Sequence, residues 1–183
     1  MEELIFTVEE VEMELLDAIK GRRSIRSYQN KKIPKHLLEE MMEAAIWAPT
    51  GSNAQAWKFI VVDDDVNIKN IESLSPGMFD VPATIVIVCR DLKRAYDIGG
   101  ELGRDILSIM DISMASQNIM LRAYDLGIGS CAVRSFGITA VKRFLDLPDY
   151  LNPELLITLG YPEKIPDPPK RRKADEVVQW WRG

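Results

Sequence analysis

Apolar residues recur along this chain with two periods, and the switches between them mark out its elements. Val8, Val11, Leu15 and Ile19 fall on one face of a helix. Thr7 and Glu10 form a capping box at its start, and Gly21 supplies a stop. Pro34 opens a second helix with the stripe Leu37, Leu38, Met41, Met42, Ala45 and Ile46, which ends by Pro49. Trp57–Val62 and Ala83–Cys89 read as buried strands, with a short helix over Asp65–Leu74 between them. Arg104–Leu126 holds neither Gly nor Pro and is apolar on most faces, which predicts a long, central, buried helix ended by Gly127. A short strand over Gly129–Val133, a helix over Thr139–Leu145 and a core strand over Leu155–Leu159 follow. Interspersed strands and helices predict one α/β or α+β domain over 1–183. After Gly160, four prolines make 161–169 an extended, stiff arm. It ends in Val177-Val178-Gln179-Trp180-Trp181, too apolar for a solvated tail and suited to docking as an added strand on another subunit.

Composition removes several chemistries. The 183 residues include one histidine, His36, and two cysteines, Cys89 and Cys131, so no Cys/His zinc cluster and no CxxC redox pair can be built. Neither cysteine has an identifiable base nearby in sequence, and both read as small buried hydrophobes. No metal site is expected. No run of 18 apolar residues predicts a membrane span. The acidic start Met1-Glu2-Glu3-Leu4 is unlike a signal peptide, so a reducing cytoplasm is the expected location.

The net charge of −5 argues against nucleic acid as a main partner, but its distribution is more informative. Residues 1–17 carry seven acids and no base, residues 20–32 carry six bases and no acid, and 170–173 are four consecutive bases. Two concentrated cationic points on an acidic chain suggest a small anionic ligand.

Four stretches could carry chemistry. Arg22-Arg23-Ser24-Ile25-Arg26 offers guanidinium forks and a hydroxyl suited to phosphate, and would equally suit the solvated basic end of a helix. Ala48–Trp57 is dense in small and amide residues; Asn53 and Gln55 could read a heterocycle's edge, or the stretch could be an ordinary turn. Gly127–Ala132 formally matches G-x-G-x-x-A but follows a helix and leads into a strand, the reverse of the dinucleotide-binding context. Lys170–Lys173 follows the stiff arm, a position suited to a placed phosphate clamp.

Taken in this order, Arg22–Arg26, Ala48–Trp57, Gly127–Cys131, and Gly160-Tyr161-Pro162 with Lys170–Lys173 resemble the motifs of the nitroreductase family of FMN-dependent oxidoreductases. The resemblance covers nearly the whole chain. It implies an α+β fold, layered α/β/α, with a mixed central sheet flanked by helices and an intertwined homodimer in which 161–183 is exchanged. It further implies that Arg22, Arg23 and Ser24, with Lys170 and Arg172, hold the FMN phosphate, and that Arg26 faces the flavin pyrimidine. Pro49, Thr50, Gly51, Asn53 and Gln55 would complete the partner's site, and the backbone near Arg134 and Ser135 would lie by the reactive N5 edge. Thr50-Gly51 stands where two serines are common, Ala56 replaces a usual proline, and Arg134 occupies a stretch often holding glycine or an acid.

A flavin carries its own hydride chemistry, which suits a chain poor in acid–base residues and without an assignable catalytic side chain. The expected activity is reduction of FMN by NADH or NADPH, followed by reduction of a small-molecule acceptor such as a nitroaromatic, a quinone or another flavin. The rival readings are a dehalogenase-like or flavin-consuming enzyme of the same fold, and a non-catalytic flavin-binding protein.

Overall fold

A computed structural model describes residues 13–182. The capping box Thr7–Glu10 and the face positions Val8 and Val11 lie outside the described residues. In chain order the elements are α1 (Leu15–Gly21), α2 (Lys35–Ile46), a 3-10 turn (Gly51–Asn53), β1 (Trp57–Val62), α3 (Asp65–Ser73), β2 (Thr84–Asp91), α4 (Leu92–Leu102), a π-turn (Gly103–Leu107), α5 (Ser108–Asp125), β3 (Gly129–Val133), α6 (Ile138–Phe144), β4 (Leu151–Gly160) and the helical turn α7 (Ala174–Val177).

The four strands form one sheet in the order β1-β2-β4-β3. Every pairing is antiparallel. The expected mixed sheet is therefore corrected among the described residues: the parallel component is a single bridge from Ser24 to Ser130 on the outer edge of β3. Both sheet faces are covered, which is why β2 is almost continuously apolar. Val86 and Val88 face α2 and α5, in a core with Met41, Ala45, Ile112, Ala115 and Ile119. Ile85, Ile87 and Cys89 face α3 and α6, in a core with Ile68, Ile71 and Val141. The result is the three-layered α+β arrangement that the resemblance implied.

Two expectations on helices are corrected. The long helix begins at Ser108, not Arg104, because a π-turn joins it to α4, a helix that the Gly99-Gly100 pair hides in the sequence. One face of α5 is buried, but Ile109 and Met110 are 44% and 54% exposed, so this helix is not central within a single chain. On α1 it is Ala18 that is buried, while Leu15 and Ile19 stand exposed. Strand β4 runs longer than the expected Leu155–Leu159. The register between β2 and β4 shifts at Val88/Cys89, which pair with Leu155 and Pro153 and leave Glu154 as the extra residue of a bulge. A bulge tolerates a proline inside a sheet and redirects the inserted side chain. The Glu154 carboxylate thereby receives Arg90 Nε at 2.9 Å and Asn152 Nδ2 at 2.6 Å.

The segment after α1 is laid along β3. The Ile25 amide donates to the Ser130 carbonyl at 2.9 Å. Gly129 and Gly160 face each other across β3 and β4. A Cβ on Gly129 would lie 2.7 Å from the Ile25 side chain, and one on Gly160 would lie 2.6 Å from the Tyr28 ring. The Tyr28 ring is pinned in turn: its hydroxyl donates to the Ile25 carbonyl at 2.7 Å and lies 2.7 Å from the Thr158 hydroxyl.

Beyond Pro162 the arm is exposed throughout. Trp180 and Trp181, expected to dock, are 83% and 84% exposed in the single chain. No helix among the described residues is long and apolar enough to cross a membrane.

Gly160→Ala is expected to destabilise the fold by about 1–3 kcal/mol, a fall in Tm of about 2–12 °C for a chain of this size. Gly99, in α4, has open space around it. Gly99→Ala should leave Tm unchanged or raise it by about 1–4 °C through the lower chain entropy of alanine. Calorimetry of the two variants checks both signs.

Candidate functional site

Two adjoining clefts gather three of the four stretches singled out in the sequence. A small cleft of about 90 Å³ is lined by Gly21–Arg23, Ile25, Tyr124, Gly127–Ser130, Pro162 and Ile165. A wider one of about 240 Å³ shares Arg22 and Arg23 and adds Ser24, Arg26, Pro166, Asp167, Pro169 and Arg171. Helix α1 ends at Gly21, and Arg22 leaves it in an extended conformation, φ −54° and ψ 133°. The chain passes directly onto the β3 edge, so the basic stretch runs beside Gly127–Ser130.

The individual cations do different things. Arg22 Nε is buried and has no hydrogen-bond partner, and so is the Ser130 hydroxyl. Both residues line the small cleft, and each leaves unused a donor of the kind an anion accepts from. Arg23 is engaged within the chain: its Nη1 donates to the carbonyls of Lys20, Gly21 and Arg22 at 2.6, 2.9 and 3.0 Å, capping the C-terminus of α1. The Arg26 guanidinium lies 5.7 Å from the centroid of the Phe79 ring. In the arm, Arg171 lines the wider cleft. Arg172 instead pairs with Glu176 at 3.2 Å, and Lys170 is exposed outside the lining. In an extended segment successive side chains point to opposite sides, so the Lys170–Lys173 run could not reveal which member turns inward. Arg171, which nothing in the sequence singles out within the run, is the member that lines the cleft.

The fourth stretch lies elsewhere. Pro49–Gln55 precedes β1, at the opposite edge of the sheet from β3, a separation of about 14 Å across the strands alone. Its backbone is unusual: Ser52, Asn53 and Gln55 all have φ near 50°. Non-glycine residues rarely adopt this region, and such strain persists only where surrounding contacts impose it. Gln55 Nε2 donates to Asn53 Oδ1 at 3.1 Å, and the Gln55 amide donates to the Thr50 hydroxyl at 3.2 Å. Asn53 and Gln55 are both exposed. Within one chain this loop and the basic cleft do not meet.

Arg134 and Ser135 follow β3 and are exposed. Arg134 Nη2 reaches Glu154 at 3.4 Å, and the Ser135 carbonyl accepts from the Gly77 amide at 2.9 Å.

The thiols stand apart from this chemistry. Burial pushes Cys89 up to about 12. Burial also raises Cys131, against the opposing pull of Arg26, Ser24 and Arg22.

The chain is therefore a three-layered α+β protein with a cleft lined by arginines at one edge of its sheet. The Nitroreductase family model matches residues 19–76 and 69–161, and the chain belongs to this family. It is 32% identical over 161 residues to a Methanothermobacter thermautotrophicus protein provisionally named NADH dehydrogenase/NAD(P)H nitroreductase, covering 84% of this chain and 80% of that one. It is 27% identical over 190 residues to a Thermus thermophilus protein named NADH dehydrogenase, with 87% and 92% covered. The crystal structure of a nitroreductase family protein from Clostridium difficile 630 superposes with a TM-score of 0.80 at 29% identity, covering 92% of this chain and 98% of that one.

Both cysteines should be inert in the folded protein, because the reactive thiolate is suppressed and access is blocked. Titration with a chromogenic disulfide at pH 8 should release no thiol from the native chain and two per chain after unfolding; one fast-reacting thiol in the native state would contradict the burial of Cys131.

Proposed function

We propose that the protein is an FMN-dependent oxidoreductase that uses NADH or NADPH to reduce a small acceptor such as a nitroaromatic or a quinone. The observation that carries this reading is the pair of unpartnered buried groups, Arg22 Nε and the Ser130 hydroxyl, on the cleft where the basic stretch meets Gly127–Ser130. Membership of the nitroreductase family supports a flavin as the ligand, and this donor set fits its phosphate. The names of the relatives support the nicotinamide as reductant.

When bound, FMN supplies a ring that takes up a hydride from the nicotinamide and passes reducing equivalents to an oxidised acceptor. Arg22, Ser24 and Ser130 hold the phosphate, with Arg171 approaching from the arm. Arg23 contributes by fixing the end of α1 and so the path of Arg22. Arg26, steadied on Phe79, offers a fixed cation to the electron-rich side of the ring. No side chain is assigned a proton-transfer role.

The unit of function in this reading is two chains. The basic cleft and the amide-rich loop Pro49–Gln55 occupy opposite sheet edges, so a second copy is needed to bring one to the other. The exposed apolar residues Ile109 and Met110 on α5, Leu15 and Ile19 on α1, and Trp180 and Trp181 on the arm support such an assembly. The chain is read as one domain whose arm stays on its own cleft as far as Arg171, and beyond that point it lies on the second copy, where the two tryptophans become buried.

Purified protein should be yellow and release FMN on heating, and rapid mixing with NADH or NADPH should bleach the flavin band. No bleaching with either nucleotide would defeat the reading; retained FMN without turnover would point to a binding protein instead. Arg22→Ala should weaken FMN binding by about tenfold to a hundredfold, the loss of one charge-assisted hydrogen bond. Unchanged affinity by fluorescence titration removes Arg22 from the site.

A further inference from the structure

The loop Thr50–Gln55 holds three non-glycine residues in the left-handed region, and something must keep it there. Two side chains from other elements grip it. Asp111, on α5, is 2% exposed, and its Oδ1 accepts from the Gly51 amide at 3.1 Å. Arg94, on α4, donates from Nε to the Ala54 carbonyl at 2.5 Å. The grips fall at Gly51, just before the left-handed residues, and at Ala54, between Asn53 and Gln55, and they leave both amide side chains exposed at the surface.

Asp111 is an expensive residue to bury. A carboxylate with 2% exposure costs desolvation free energy, and burial raises its pKa against the pull of the Gly51 N–H. Its neighbours on the same helix, Ile112 and Ala115, belong to the core, and an apolar residue would fill a buried position of α5 at lower cost. Among the described residues the hydrogen bond that the Asp111 carboxylate gains is the one from the Gly51 amide, which is the backbone of the loop.

We propose that Asp111 and Arg94 are positioning residues: a two-point clamp that holds Thr50–Gln55 in the conformation in which its amides meet the isoalloxazine ring bound by a second copy. The proposal rests on the reading above that this loop reaches the flavin. Neither residue touches the cofactor. Asp111 acts as a hydrogen-bond acceptor, so the neutral amide of Asp111→Asn can replace it, whereas Asp111→Ala cannot. Because the clamp serves the ring and not the phosphate, its loss affects riboflavin and FMN alike.

The test titrates the full-length apoprotein and its variants with FMN and with riboflavin, following flavin fluorescence. Asp111→Ala and Arg94→Ala should each weaken both ligands by about tenfold, with the ratio of the two affinities kept at the wild-type value. Arg22→Ala should change that ratio. Asp111→Asn should stay within about threefold of wild type, equivalent to less than one hydrogen bond. Wild-type riboflavin affinity in both Asp111→Ala and Arg94→Ala overturns the clamp, and so does an Asp111→Asn variant as weak as Asp111→Ala. If Asp111→Ala does not fold, Arg94→Ala, at an exposed position, decides alone. Should the wild-type chain bind neither flavin, the functional reading fails. The clamp is then decided by hydrogen exchange at the Gly51 amide: faster exchange in the Asp111 variant supports it, and unchanged protection overturns it.

Discussion

The seating of Ser24–Tyr28 on two facing glycines is the constraint on which the cleft depends. Gly129 and Gly160 are cross-strand partners, and their missing side chains make the hollow that Ile25 and Tyr28 fill. That contact, with the Ile25 amide on the Ser130 carbonyl, turns the outer edge of β3 into a track for the chain leaving α1. Arg22 is thereby carried to the cleft that Ser130 also lines, with its Nε and the Ser130 hydroxyl both buried. Neither group is partnered by protein, and burial makes that deficit costly. A side chain at either glycine would lift the track and let water reach both.

The sheet then fixes what one chain can and cannot do. Its order places β1 and β3 at opposite edges. The amide-rich loop enters β1 and the basic stretch follows β3, so the two halves are held apart by two intervening strands that are among the most buried elements. No side-chain motion closes that gap. The apolar residues exposed on α1 and α5 lie outside the cores that pack the sheet, so the proposed two-chain site would account for the separation and the exposure together.

Much of this was legible in the sequence, for reasons that differ by element. β1 and β3 could be delimited because short apolar runs bounded by Gly and polar residues admit few other readings. Pro153 concealed the first half of β4, since a proline argues against a central strand unless a bulge receives it, and a bulge is set by register with β2. Gly99-Gly100 concealed α4 in the same way: Gly100 does leave helical geometry, with φ 59°, but only after the helix has formed. The basic stretches announced a site by charge clustering. Their division of labour was not legible, because Arg23 spends its guanidinium on carbonyls of its own helix and Arg172 on Glu176, contacts fixed by local geometry rather than residue type. Asp111 carried no signal at all; a single acid in an apolar helix looks like a surface position until the fold buries it.

The charges at the cleft are also of a particular kind. Guanidinium groups keep their charge at any pH at which the fold survives. Both thiols are held protonated by burial, and His36 sits exposed on α2. Apart from Asp167, the cleft's polar lining is guanidinium, hydroxyl and backbone, and among the described residues no histidine or cysteine lines it. It can hold an anion and steady a ring, but the electron and hydride chemistry must arrive with what it binds. That division fits an oxidoreductase whose protein part is a rigid holder, and it places the demand for precision on the loop and track that set the geometry rather than on any titrating side chain.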